Sequence, residues 1–172
     1  MSKYRVAYID ESDVDIRKFQ RFARNYFDVT AFKPNRIKEV TVSNILESHV
    51  DAVIADFDLS EQNETIHYTG ADIVSLILEA REMFPVFILT SYEDDAVSQG
   101  EDVNIVYEKS EMANGEKFLE RVKTQIEKYK DFFPFFQKLR TGGYDGKGVV
   151  KLGHPNKIEH AFEAPSVLER LV

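Results

Sequence analysis

Asp56 closes a short apolar run, Val53-Ile54-Ala55, and is followed by Phe57-Asp58. Val50 and Ala52 extend the run backwards, so it reads as a buried strand of a parallel sheet. A carboxylate at the end of such a strand lies at the C-terminal edge of the sheet, where open α/β sheets bind ligands. Taken alone, Asp56 fits a strand-terminating turn acid better. Three other predicted strands end in the same fashion. Tyr4-Arg5-Val6-Ala7-Tyr8-Ile9 runs into Asp10-Glu11, Pro85-Val86-Phe87-Ile88-Leu89 into Thr90-Ser91, and Val103-Asn104-Ile105-Val106-Tyr107 into Glu108-Lys109-Ser110. Each end singly suits a turn or a cap, but polar groups at every equivalent end point to one shared rim.

The chemistry of that set is coherent. Carboxylates held close together repel and raise one another's pKa. A cation relieves the repulsion, and an all-oxygen cluster with room for water suits Mg²⁺. A magnesium ion beside Asp56 can neutralise an incoming phosphoryl group while Asp56 attacks phosphorus. Lys109 supplies positive charge from the other side, and the Thr90 hydroxyl can donate to a phosphoryl oxygen. Asp10, Glu11, Asp56, Thr90 and Lys109 are therefore the expected phosphoryl-acceptor site.

These residues need elements to position them. Ser12 or Asp13 is expected to cap a helix that buries Ile16, Phe19, Ala23 and Tyr26, with acids suiting its positive end. A second strand spans about Asp28–Phe32, and a weaker helix covers about Ile37–His49, with Val42, Ile45 and Leu46 inward. The polar loop Leu59–Thr69 is long for a strand-to-helix connection. Gly70 opens a helix with Ile73, Val74, Ile77 and Leu78 on one face, and Glu93–Gln99 suits at most a short helix. A long helix follows from about Asn114 to Tyr129. Five strands alternating with helices predict an α/β fold with a doubly wound parallel sheet.

The chain has 172 residues and a net charge of −8, which opposes nonspecific attraction to nucleic acid or anionic membrane and suits a divalent cation. The absence of cysteine excludes disulfides and thiolate chemistry. No signal-peptide pattern opens the sequence, and no apolar run is long enough to span a bilayer, so a cytoplasmic protein is expected. The globular domain is expected over residues 1–130. Residues 131–172 form a C-terminal extension, with the aromatic cluster Phe132-Phe133-Pro134-Phe135-Phe136 and the glycine-rich stretch 141–148. That stretch lacks the flanks of a phosphate loop and reads as a linker or a hairpin turn. Ser166–Val172 reads as a short amphipathic helix capped by Ser166. His49, His67, His154 and His160 have no metal-ligand spacing.

At Ile9-Asp10-Glu11, Ile54-Ala55-Asp56, Leu89-Thr90-Ser91 and Glu108-Lys109-Ser110 the chain resembles the receiver domain of two-component response regulators, over roughly residues 3 to 130. The resemblance implies a flavodoxin-like sheet of order 2-1-3-4-5. It implies that Asp56 accepts phosphate from a histidine kinase or phosphotransfer protein. Asp10 and Glu11 would hold Mg²⁺ with Asp56 and the backbone carbonyl of Asp58. Thr90 would be the switch hydroxyl and Lys109 the phosphate-binding lysine. Such a protein is no turnover enzyme; at most it phosphorylates and dephosphorylates itself.

The chain departs from the family at several points. Glu11 stands where a second aspartate is usual, and Ser110 where the lysine is usually followed by proline in a cis bond. A non-proline cis bond costs about 3 kcal/mol or more, so a differently shaped loop is expected. Val106 takes the usual aromatic position, while Tyr107 lies one place later and faces the other way in a regular strand. The loop before Gly70 is longer than usual and the fourth helix shorter. Two other readings share these residues. Asp56-Phe57-Asp58 also resembles the DxD of haloacid-dehalogenase-type phosphatases, although there the acidic pair follows the lysine. A pseudo-receiver would keep the fold without taking phosphate. The extension has no DNA-binding pattern, so output through an unidentified downstream protein or a homodimer seam in residues 131–172 is expected, with no nucleic acid and no membrane.

Overall fold

The computed structural model describes residues 3–61, 63–91, 105–131, 135–139, 149–152 and 166–170. The chain divides into two compact units, Met1–Gln125 and Ile126–Val172. In the first, strands β1 (Tyr4–Ile9), β2 (Phe27–Phe32), β3 (Ala52–Asp56), β4 (Val86–Thr90) and β5 (Val106–Glu108) form one sheet of order β2-β1-β3-β4-β5. All four pairings are parallel. Helices α1 (Asp13–Ala23), α2 (Lys38–Glu47) and α3 (Gly70–Ala80) connect the strands, and α4 (Glu116–Asp131) follows β5.

The sequence dictates this arrangement through burial. Val6–Ile9, Ala52–Ala55 and Val86–Leu89 are continuous apolar runs, and all of these residues are buried. Only a strand covered on both faces tolerates such a run, and parallel sheets with helical crossovers provide the cover. The chain runs from β1 to β2 on one side, then crosses back past β1 to β3. Right-handed crossovers then place α1 on one face and α2 and α3 on the other, and α2 packs against α3.

Local signals set the helix ends. The Ser12 side chain caps α1 by accepting from the Asp15 N–H at 3.3 Å. Asp13 and Asp15 occupy its first turn, where acid suits the helix dipole. Helix α3 begins with a reciprocal capping box between Thr69 and Asp72. Helix α2 lacks a side-chain cap at Ile37, and it ends with His49 in the left-handed conformation at φ 54°. His49 is thus a helix terminator, and His67 is an exposed loop residue.

The second unit contains a three-stranded antiparallel sheet of order β7-β6-β8, with β6 at Phe135–Leu139, β7 at Val149–Leu152 and β8 at Ser166–Arg170. Of the helix expected over Ser166–Val172, Ser166–Arg170 is therefore a strand, and the last two residues lie outside the described ones. So short a segment is a poor isolated helix, and pairing of Val167 with Lys138 and Leu168 with Gln137 satisfies its backbone instead. The fifth strand begins at Val106, with Ile105 in a turn, and Val103 and Asn104 of the expected strand lie outside the described residues. The expected short helix at Glu93–Gln99, the 141–148 stretch, His154 and His160 lie outside the described residues. Among the described residues no helix is long and apolar enough to cross a membrane.

One glycine sets the distance between α3 and the sheet. A Cβ at Gly70 would stand 2.1 Å from the backbone oxygen of Asp56 and 3.1 Å from the Ala55 Cβ. The Gly70 N–H donates to the Phe57 carbonyl at 2.9 Å. Gly70→Ala is expected to cost about 2 kcal/mol, as overpacking does, because the obstacle is backbone rather than a movable side chain. Urea denaturation measures it, and an unchanged midpoint with an unchanged m-value would refute the close approach.

Candidate functional site

The sheet register gathers the polar strand ends. Ile9 pairs with Ala55, so Asp10 and Asp56 leave neighbouring strands at the same level. Asp56 pairs with Leu89, and Thr90 with Glu108, which brings Thr90 and Lys109 to the same rim. This rim lies beside the point where the strand order reverses between β1 and β3, where doubly wound sheets place their ligand crevice.

Lys109 is the hub. Its Nζ lies 2.8 Å from Asp56 Oδ1, 3.7 Å from Asp10 Oδ2 and 3.8 Å from Asp15 Oδ2. The lysine opens a short 3-10 helix, Lys109–Asn114, directly after β5. In that turn the Ser110 hydroxyl donates to Glu108 Oε2 at 2.7 Å. Ser110 thus has a local role in shaping the loop that carries Lys109. Tyr107 packs on Phe118 of α4 at 5.1 Å between ring centroids, and the Arg121 guanidinium lies over its ring. It is a packing residue between β5 and α4.

Asp10 is held from two sides. Its Oδ2 accepts from the Tyr8 hydroxyl and its Oδ1 from the Ser12 N–H, both at 2.8 Å. Glu11, half-buried, follows in the turn before α1. Lys33, just past β2, donates to the Glu11 backbone carbonyl at 2.5 Å and pairs with Asp13 at 2.8 Å, which ties that turn to β2. The Asp13 carboxyl is held below its ordinary value by this lysine.

An open pocket of about 140 Å³ lies over the rim, lined by Asp56, Phe57, Asp58, Glu61, Thr90, Ser91 and Lys109. Asp56, Thr90 and Lys109 thus meet at one cavity; Glu11 is not part of its lining. Asp58 is exposed, and its Oδ1 accepts from the Ser60 N–H and hydroxyl, both at 3.0 Å. Glu61 comes from the long loop that the sequence marked. That loop is anchored by buried Leu59, Ile66 and Tyr68. The Tyr68 hydroxyl meets Thr41 Oγ1 at 3.0 Å and donates to the Asn35 carbonyl, so α2 holds the loop in place.

Three contributors were missed in the sequence. Asp15 reaches Lys109 from the first turn of α1, where a helix-start acid is ordinary. Tyr8 reads as a core aromatic, and only its position two residues before Asp10, on the same strand face, hints otherwise. Glu61 lies in a polar loop without periodicity and carries no sequence signal.

Burial dominates the electrostatics. Asp56 is only 5% exposed. Desolvation pushes its carboxyl up from 3.8 to about 7, the Lys109 ammonium pulls it back in part, and the charges of Asp10 and Asp58 add to the rise. Burial works against the Lys109 ammonium too, but its bond to Asp56 and the charges of Asp56, Asp10 and Asp15 outweigh it and raise its pKa. For Asp56 the upward direction holds because burial, helped by the charges of Asp10 and Asp58, outweighs the pull of the Lys109 ammonium.

Among the described residues, no three acidic or imidazole side chains converge as a preformed metal cage. The Lys109 ammonium stands where Asp10 and Asp56 approach one another. The donor set nevertheless suits a hard cation, being all oxygen and more acidic than one lysine can neutralise.

No protein-family model matches the chain, and no curated protein sequence matches it. Solved structures do. A response regulator receiver domain protein from Clostridium thermocellum matches with a TM-score of 0.55 and 15% identity, covering 73% of this chain and 96% of that one. The apo receiver domain of nitrogen regulatory protein C matches at 0.55 and 18% identity, covering 75% of this chain and 98% of that one. The BeF3-activated receiver domain of DrrB matches at 0.51 and 22% identity, covering 73% of this chain and 98% of that one. The chain has the fold of response-regulator receiver domains.

The cation-free protein is expected to ionise Asp56 near neutrality. Loss of Lys109 removes the influences that lower this pKa, so Lys109→Met shifts the midpoint further up. The native fold binds the proton more tightly than the unfolded chain, so Asp56's contribution to stability declines as pH rises from about 4 to about 7. A carboxyl ¹³C NMR titration reads the midpoint directly; ionisation of Asp56 near 4 would show that its burial is relieved.

Proposed function

We propose that this chain is a phosphorylation-dependent signalling receiver, in which Asp56 accepts a phosphoryl group from a histidine kinase or phosphotransfer protein. The observation that carries the reading is a buried carboxylate at the sheet rim, 2.8 Å from a lysine ammonium that is also near a second rim carboxylate. Asp10 and Glu11 would hold Mg²⁺ with Asp56 and the Asp58 backbone carbonyl. The ion supplies positive charge against the oxygens of the incoming phosphoryl group.

The chain's own groups define the step. An ionised Asp56 oxygen attacks phosphorus, forming an acyl phosphate as the bond from phosphorus to the donor breaks. The departing donor group keeps the electron pair of that bond. Lys109 exchanges its bond with Asp56 for one with a phosphoryl oxygen, and the Thr90 hydroxyl, at the same pocket, donates to another. Aspartate is a suitable acceptor because its acyl phosphate is reactive and can be returned to water.

Acetyl phosphate with Mg²⁺ should add one phosphoryl mass to the wild-type chain and none to Asp56→Asn. Lys109→Ala should keep metal affinity but lose the conformational response. Intact mass spectrometry reads the first and amide NMR with beryllofluoride the second. Labelling of Asp56→Asn to the wild-type extent would overturn the assignment of the acceptor. Catalytic turnover of p-nitrophenyl phosphate would instead favour the phosphatase reading.

The output is protein–protein contact, and residues 131–172 are the proposed element for a downstream protein or a second copy. Among the described residues, β7 and β8 are the edge strands of the sheet β7-β6-β8, a geometry that accepts another strand. A chain ending at Lys130 should lose more assembly mass than the removed residues account for, or lose partner binding, by light scattering and pull-down. Unchanged assembly and partner binding would rule this out.

A further inference from the structure

Tyr8 sits in β1, an interior strand of the sheet, with no exposed surface. Its ring stacks on Phe19 of α1, with centroids 4.2 Å apart and planes 9° from parallel. A phenylalanine would fill that place equally well. The hydroxyl is the additional group, and burying one requires a partner. It has one, since the oxygen lies 2.8 Å from Asp10 Oδ2.

The phenol is a donor that stays protonated. Burial first, then the Asp10 charge and the bond to Asp10, push its pKa upward. The acidic groups facing it are Asp10, Asp56 and Asp15, so deprotonation would add a charge to a crowded acidic cluster. The second Asp10 oxygen accepts from the Ser12 N–H at 2.8 Å. The two donors act on opposite oxygens and come from β1 and the start of α1. Together they fix the rotation of a carboxylate that is only 1% exposed. A carboxylate oxygen has two acceptor sites, so each retains capacity after its bond.

We infer that Tyr8 is a positioning residue of the phosphoacceptor centre: its hydroxyl, anchored by the Phe19 stack, holds Asp10 in the orientation from which it binds the divalent cation. The inference rests on the receiver reading of the site. It adds a tyrosine that acts through Asp10 and touches neither the cation nor the phosphoryl group. Hydrogen-bond partners of metal-ligating groups commonly govern affinity in this manner, with losses of about 10–100-fold on removal.

Tyr8→Phe keeps the ring and removes only the hydroxyl. Its affinity for Mn²⁺, read by electron paramagnetic resonance with Mg²⁺ in competition, should fall about tenfold or more. The rate of phosphorylation by acetyl phosphate should fall at low Mg²⁺ and approach the wild-type rate at saturating Mg²⁺. A second measurement uses the wild type alone. The Tyr8 hydroxyl proton, protected from exchange by burial, should shift on Mg²⁺ addition in NMR spectra.

The outcomes separate the two levels of the argument. If wild-type protein binds neither ion, the receiver reading itself fails, and this inference with it. If wild type binds and Tyr8→Phe binds equally, the positioning role alone is wrong. A variant impaired equally at every Mg²⁺ concentration has a structural tyrosine instead. If Tyr8→Phe does not fold, an unmoved hydroxyl resonance in the wild type still overturns the inference.

Discussion

The site depends on one ammonium shared among three carboxylates at a buried sheet edge. Lys109 approaches Asp56 closely and stands within ion-pairing distance of Asp10 and Asp15. Each acid alone would satisfy a lysine; three of them leave the cluster negative while burial penalises every charge. Asp56 responds by holding its proton more tightly, and Lys109 by holding its own. Such a cluster is poised for added positive charge. It would oppose a phosphoryl dianion arriving without a cation, which gives a physical reason for metal dependence in the proposed reaction.

Much of the surrounding fold serves to keep this arrangement in register. Parallel pairing of β1 with β3 and of β3 with β4 sets Asp10, Asp56 and Thr90 at one rim. Gly70 lets α3 reach the backbone of Asp56, and its N–H bond to Phe57 holds the residue after Asp56. Tyr68 then ties the long loop to Thr41 and Asn35. The loop is thus a built part of the pocket, and it brings Glu61 to the lining. In this chain strand register and helix seating, rather than any one side chain, locate the rim.

The sequence revealed what depends on local pattern. Continuous apolar runs ending in Asp10, Asp56 and Thr90 told of buried parallel strands, and those strands lie where the pattern put them. Ser12 and Asp13 announced the start of α1 for the same local reason, and the structure assigns the cap to Ser12. Tyr8 and Asp15 escaped because their roles exist only after α1 packs on β1 and β5 delivers Lys109. The final strand escaped for a different reason. Ser166–Arg170 is too short for periodicity to separate helix from strand, and its partner β6 lies far away in the chain.

Glu11 and Lys109 keep the charges of the receiver pattern, while Tyr107 and Ser110 depart from it around β5. Tyr107 is engaged by Phe87, Phe118 and Arg121, so its ring belongs to the packing of β5 against its neighbours. Ser110 closes a local turn with Glu108 immediately beyond Lys109. A change in Lys109 therefore bears on two directions at once. It bears on α1, because Asp15 lies in that helix's first turn, and on β5 and the 3-10 helix, because they carry the lysine. Transfer of the ammonium from Asp56 to a phosphoryl oxygen would loosen its hold on Asp10 and Asp15, changing charge at the start of α1. In the proposed reaction the lysine and the first helix would provide a route from Asp56 to the surface that does not need an aromatic at position 106.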